Sequence, residues 1–215
     1  MIKRLMIILA VAWATLAQAA APALPDSVTA EAMFVQAPAL RPRVLPEISR
    51  GTRLDMLDYF KAGIDKASEN NFGGQSKVTA IDSLSMDFEL TGDIACQLFV
   101  LNAGGRPVTC IVTTYPTPIP DSRLRAYDSN WREVSIFAEP TLADWLIDKK
   151  SRKEAELALP FVLASYRYDP ATQTLTVANE MDAYWIEAER PAVLEQMHKK
   201  LAYRWDGKRF KLIKQ

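Results

Sequence analysis

Apolar positions along this chain change their period in a regular way, and the changes mark out its elements. Over 26–36, Val28, Met33 and Phe34 describe a short helix capped by Asp26 or Ser27. Pro38, Pro42 and Pro46 then impose an extended, irregular stretch, because proline fixes φ and restricts the residue before it. Leu54, Leu57, Phe60 and Ile64 follow at helical spacing. Behind them Thr52, Arg53, Leu54 and Asp55 read as a capping box with Asp in the usual place of Glu, so a helix is predicted over 53–67. Asn70-Asn71-Phe72-Gly73-Gly74 closes it with residues that tolerate the left-handed conformation.

The period then falls to two. Segments 78–81, 85–90, 94–101, 107–115 and 123–128 are separated by short turn signals, the pattern of an antiparallel meander. The third and fourth of these are apolar on both faces, as strands covered on both sides are, so they belong in the middle of the sheet with the 53–67 helix over one face. The 115–120 stretch is rich in proline and suits a sheet edge or a link between strands. Short helices are expected at 141–146 and 151–157, and a hairpin from 161–168 and 174–178 about Asp169 and Pro170. A helix is expected over 189–199, and a last hairpin from 202–205 and 209–213 about Asp206-Gly207. The predicted class is α+β: one large, mostly antiparallel sheet of about eight to nine strands, built from a meander and hairpins, with helices packed on it.

The start of the chain carries a different signal. Lys3 and Arg4 precede an apolar run over 5–16, and Ala17-Gln18-Ala19 follows as a small-x-small cleavage site. Residues 1–19 therefore read as a secretory signal peptide, leaving 20–215 as a single α+β domain. No later run reaches the roughly 18 apolar residues of a membrane span, and no cysteine lies near the cleavage site to take a lipid. The expected protein is exported, periplasmic or extracellular, not a lipoprotein and not stably inserted in a membrane. Removing Lys3 and Arg4 leaves 24 basic residues against 26 acidic ones. Such a balance provides no broad field for nucleic acid.

Two cysteines in an exported protein invite a disulfide, and the hairpin turn between Leu101 and Pro107 decides whether one can form. A three-residue loop Asn102-Ala103-Gly104 sets Cys96 opposite Cys110 on one face, together with Leu98, Val100, Val108 and Val112. A two-residue Gly104-Gly105 turn puts the cysteines on opposite faces and forbids the bond. Both registers fit the sequence.

Several segments taken in order resemble a known family. Met33-Phe34 and the proline stretch lead into Arg53-Leu54-Asp55-Met56-Leu57-Asp58, and Gly73-Gly74-Gln75-Ser76 precedes the first strand. Ile111-Val112-Thr113-Thr114-Tyr115, Tyr127-Asp128-Ser129-Asn130-Trp131 and the closing Tyr203-Arg204-Trp205-Asp206-Gly207-Lys208-Arg209-Phe210 follow. This series resembles a family of exported proteins from Bacteroidales bacteria known only as a domain of unknown function. The resemblance covers nearly all of 20–215 and implies a Gram-negative, periplasmic or secreted setting. It brings no catalytic or binding residue with it.

The residues themselves offer little catalytic chemistry. His198 is the only histidine and lies beside Lys199 and Lys200, too few ligands for zinc. Asp55 and Asp58 share a helix face, where acids suit an N-terminal turn. Asp82, Asp87 and Glu89 lie along strands, and Asp87 with Glu89 is the candidate carboxylate pair for glycan hydrolysis. Ser129 and Ser165 lack a Gly-x-Ser-x-Gly setting, and Gly73-Gly74 lacks the Lys-Ser/Thr of a phosphate loop. No catalytic residue, metal ligand or cofactor is assigned. Of Trp131, Trp145, Trp185 and Trp205, all read as core or hairpin packing except Trp185, which periodicity leaves unexplained. Tyr184 and Trp185 are the candidate binding residues. The expected function is a non-enzymatic exported module that binds a protein, peptide or envelope component. The alternative is a carboxylate-dependent hydrolase acting on envelope or dietary glycans.

Overall fold

A computed structural model describes residues 22–116 and 118–213. The signal peptide expected over 1–19 lies outside the described residues. The fold is α+β and its strands are antiparallel, but they divide between two sheets. The first runs in chain order: β1 (Ser68–Glu69), β2 (Gln75–Ile81), β3 (Ser85–Thr91), β4 (Ile94–Asn102), β5 (Pro107–Tyr115) and β6 (Asp121–Tyr127). The second comprises β7 (Ala164–Asp169), β8 (Thr174–Asn179), β9 (Lys200–Trp205) and β10 (Phe210–Leu212), ordered β10-β9-β8-β7.

Helices cover one face of the first sheet. They are α1 (Ala30–Gln36), capped by the Thr29 side chain, and α2 (Arg50–Lys61), capped by Ser49. Phe34, Ile48, Met56 and Leu57 meet Val78, Phe88, Leu98, Val100 and Ile111 there. The opposite face packs on the second sheet, where Phe99, Leu101, Val108, Cys110 and Val112 meet Tyr168, Leu175, Val177 and Leu201. The hairpin β4–β5 is thus covered on both sides, as its two apolar faces require.

The hairpin takes the two-residue turn. Asn102 pairs with Pro107, the Ala103 N–H donates to the Arg106 carbonyl at 2.9 Å, and Gly104 and Gly105 have φ of 66° and 84°. Two successive positive φ values are the mark of a type I′ turn, which matches the twist of a hairpin and which two glycines adopt without strain. Phe99 therefore faces Cys110, and Cys96 faces Thr113. Relative to the three-residue loop, one strand slides by three residues, an odd number, which moves its whole set of side chains to the other face. Val108 and Val112 join Phe99 and Leu101, while Leu98 and Val100 join Ile111. Cys96 and Cys110 are free thiols buried in different cores, so the disulfide that the other register would allow is absent.

Three further expectations change. Helix α2 begins three residues before the expected start, so Ser49 and not Thr52 caps it, and Gly63 at φ 67° follows its end. The Asn70–Gly74 stretch is instead the turn between β1 and β2, organised by the buried Asn70 side chain, which accepts from the Phe72 and Gly74 N–H groups. The expected 189–199 helix is two short 3-10 turns, Glu187–Glu189 and Ala192–Gln196, that lead directly into β9. Added to these are four-residue α3 (Leu142–Trp145), α4 (Arg152–Ala158) and four-residue α5 (Met181–Tyr184).

Candidate functional site

The Tyr184 and Trp185 segment is short and firmly anchored. Asn179 Oδ1 accepts from the Met181 N–H at 3.0 Å, and the Met181 side chain is fully buried. Asp182 is bound by Arg190 and by Lys199, and Arg190 also reaches Glu195. Lys199, and less so Arg190, holds the Asp182 carboxyl below its ordinary range. From this base the aromatics project differently. Trp185 packs against the core between the sheets, and its buried indole N–H has no hydrogen-bond partner among the described residues. Tyr184 remains 43% exposed. Its ring meets Trp185 at 5.2 Å and 79° on one side and Phe161 at 5.3 Å and 90° on the other. Phe161 is also 43% exposed, and Ile186 next to Trp185 is exposed as well. Edge-to-face pairs of this kind hold rings in fixed orientation. Sequence reasoning named Tyr184 and Trp185 but not Phe161, which it placed inside a strand.

Phe161 leads into a groove of mixed lining, about 370 Å³, bounded also by Leu142, Leu159 and Glu156. Pro140 and Val162 line this groove and also a second, polar cleft of about 280 Å³. Asp121, Arg123, Glu139 and Tyr166 face that cleft, above the buried Trp145. Burial first, then Glu139 and Asp121, raise the Tyr166 hydroxyl well above its ordinary pKa, so it is a neutral hydrogen-bonding group at any physiological pH. Asp121 sits where it does because its Oδ1 accepts from the Ala164 N–H at 3.4 Å, and Ser122 Oγ accepts from the Tyr166 N–H at 3.0 Å. Asp121 and Glu139 are far apart in sequence, and no spacing signal would have joined them.

The other candidates are dispersed. Asp55 and Asp58 are exposed beyond the first turn of α2, so helix-dipole stabilisation does not explain them. Asp87 takes a bidentate pair of hydrogen bonds from Arg167, both 2.7 Å, across the two sheets, and Glu89 lies 3.9 Å from Lys77. The two carboxylates proposed for glycan hydrolysis are therefore each committed to a cation. Ser165 donates to Glu180, and Ser129 lies exposed in a turn. The main chain at His198 donates to the Trp145 carbonyl and its own carbonyl accepts from Asn179. Trp145 is core, Trp205 donates to the Asn102 carbonyl at 3.0 Å, and Trp131 packs on Tyr127 beside the Asp128 turn. Among the described residues, no group of three or more His, Cys, Asp or Glu side chains is placed to hold a metal ion. No helix among them is long and apolar enough to cross a membrane.

Comparison with known proteins settles the family. A family model described as a protein of unknown function, DUF3256, matches residues 26–210. The chain belongs to this family. A solved structure of a domain of an uncharacterized protein from Porphyromonas gingivalis W83 is similar in fold, with a TM-score of 0.70 at 19% identity, covering 86% of this chain and 98% of that one. At that identity the likeness extends to the fold alone. No curated protein matches.

Proposed function

We propose that this member of the DUF3256 family is an exported, non-enzymatic module that binds peptide or protein segments on the aromatic surface around Tyr184. The observation that carries the reading is the ladder Phe161–Tyr184–Trp185, with two of its rings nearly half exposed beside Ile186 and an open groove. Large apolar rings held in fixed orientation at a surface lose little entropy on binding, which is why aromatic residues anchor interfaces. The n-region, apolar run and Ala17-Gln18-Ala19 site support export.

The test has two parts. Fractionation of the native host followed by N-terminal sequencing should find a chain starting near Ala20 outside the cytoplasm. Screening a random peptide library against purified protein should return peptides with apolar side chains, and Phe161→Ser with Tyr184→Ser should weaken them at least tenfold. Retention of full binding in that double variant would remove the aromatic surface from the reading.

A glycan hydrolase remains the second reading because Asp121 and Glu139 line one cleft. It is less well supported, since such chemistry needs one carboxyl held in an apolar pocket, whereas Glu139 is exposed and Asp121 Oδ1 already accepts from the Ala164 N–H.

A further inference from the structure

Strand β2 is covered on its outer edge for only part of its length. Strand β1 pairs with its first two residues, Ser68 with Ser76 and Glu69 with Gln75. The Asn70 N–H donates to the Gly74 carbonyl at 2.8 Å, and hydrogen-bonded pairs alternate along an antiparallel ladder. Ser76 is therefore bonded to Ser68, and the next residue of β2 to present its main chain outward is Val78. Lys66 would be its partner if β1 ran on. The chain turns away instead, because the Lys66 N–H donates back to the Ile64 carbonyl at 2.9 Å. At Thr79 the register with β3 shifts, and the Asp82 N–H then donates to the Ser85 carbonyl at 2.7 Å, which turns Ile81 outward in its turn. Among the described residues the main chains of Val78 and Ile81 have no partner on this side. A groove of mixed lining, about 340 Å³, opens here between β2 and residues 63–66. Phe60 and Ile64, 37% and 51% exposed, line it with the buried Met56 and Val78. Across it Lys77 reaches Asp65 at 3.9 Å, a pair too exposed to hold the walls together.

Unpaired main-chain donors and acceptors along a sheet edge are matched by one chemistry, another extended main chain. We propose that β2 accepts a single extended segment of a partner polypeptide as an added strand, in line with β1. The main chain of the guest pairs with Val78 and reaches Ile81, and an apolar side chain of the guest enters the groove against Phe60 and Ile64. Strand β1 and residues 63–66 flank the opening, so one strand enters where the sheet edge of a second folded copy would collide with them. Lysines and bulges blunt an edge against indiscriminate pairing. Lys77 and the irregularity at Thr79 do so here and confine the guest to a short paired stretch. The site shares no residue with the aromatic surface around Tyr184 and does not depend on it.

Titration of the purified protein with the peptide Thr-Val-Thr-Val-Thr, blocked at both ends, tests this through amide hydrogen exchange. Saturating peptide should slow exchange of the Val78 and Ile81 amides at least tenfold and leave Lys77, already paired with Glu89, unchanged. No slowing at either amide with millimolar peptide would overturn the proposal. Two N-methylated peptides then distinguish a strand from a side-chain contact, because only every second amide of an added strand faces β2. Of one methylated at the central threonine and one at the valine after it, one should lose at least tenfold in affinity and the other less than twofold. Equal affinities would mean that side chains alone hold the peptide, against the proposal. Ile64→Ser, at an exposed position, should weaken binding about fivefold, and undiminished binding would remove the guest from the groove. Phe161→Ser with Tyr184→Ser should leave the protection of Val78 and Ile81 intact, and its loss would return the peptide to the aromatic surface. A dimer found by sedimentation without peptide, with the same two amides protected, would assign the edge to a second copy and overturn the proposal.

Discussion

The two faces of the six-stranded sheet are covered by different kinds of layer, and each layer leaves a different set of backbone groups to satisfy. Helices cover one face. A helix ends with carbonyls that have no partner within it, and here the Phe34 carbonyl of α1 and the Ala37 carbonyl just after it are both buried. The Arg53 side chain, 1% exposed on α2, donates to them at 2.5 and 2.6 Å. Burial lowers its pKa to about 10, still far above neutrality. A second sheet covers the other face. Its edge strand β7 presents unpaired N–H groups, and side chains of the first sheet take them: Asp121 at Ala164, Ser122 at Tyr166, Gln97 at Tyr168. These buried polar side chains are therefore placed by the ends and edges of whatever covers the sheet. An open edge is a template for unwanted pairing, and β7 is protected by side chains rather than by another strand.

The helical face should be the more fragile to a single change. Arg53→Met keeps much of the stem's volume but strips two buried carbonyls of their donors. Each orphaned group costs about 1 to 3 kcal/mol, so the loss should be about 3 to 5 kcal/mol in chemical denaturation. A loss below about 1 kcal/mol would mean that water reaches these carbonyls, and the contrast between the two faces would then fail.

Gln97 is the counterpart on the other face. Its amide brackets Tyr168, accepting from the N–H at 2.8 Å and donating to the carbonyl at 3.0 Å. Gln97→Leu should cost about 2 to 4 kcal/mol and make the Tyr168 amide exchange faster than its neighbours. Unchanged exchange at Tyr168 would show that edge protection does not come from the first sheet.

Much of this architecture was legible in the chain, and the failures have physical causes. The meander, the double-sided apolarity of β4 and β5 and the last hairpin follow from period and turn chemistry, because those signals are local; the turn of that hairpin centres on Gly207-Lys208, one residue beyond the expected Asp206-Gly207. The split into two sheets was not legible, since pairing between distant strands leaves no local mark and β6 meets β7 through side chains. Arg53 was missed because charge suggested a surface. Yet Arg53, Met56, Leu57 and Phe60 stand at helical spacing, and that stripe, not the one through Leu54 and Ile64, is the more buried: Leu54 and Ile64 are 38% and 51% exposed. At the candidate site, Tyr184 and Trp185 were visible as aromatics without a periodic role. Asp121, Glu139 and Tyr166 were not visible, because only the two-sheet packing brings them to one cleft.

The two sheets are also joined at their rim by Asp87 and Arg167. The pair is bidentate, but Arg167 is 64% exposed, so water and salt screen it. Asp87→Asn should cost about 0.5 kcal/mol at low salt and close to nothing in about 1 M salt. A loss as large as that of Gln97→Leu, and one that survives high salt, would move the junction between the sheets from the buried amide to this ion pair.

The smallest effect should come from reductant, and the thiols report on both faces at once. Cys96 lies in the helix-covered core, 3.7 Å from the Thr113 hydroxyl, and Cys110 lies fully buried between the sheets. Burial pushes the Cys96 thiol up to about 12 and the Cys110 thiol well above its ordinary range. The thiolate is the reactive form, so neither should react with an alkylating reagent at pH 8 while the chain is folded. Denaturation without reductant should release two titratable thiols, and reductant should leave the melting temperature unchanged. A bonded pair closing this loop would instead raise stability by about 3 kcal/mol, and finding no thiol would reverse the hairpin register along with it. If the layers open separately, Arg53→Met should speed labelling of Cys96 ahead of Cys110, and Gln97→Leu should do the reverse. Equal acceleration at both cysteines in either variant would mean that the two cores open as one unit.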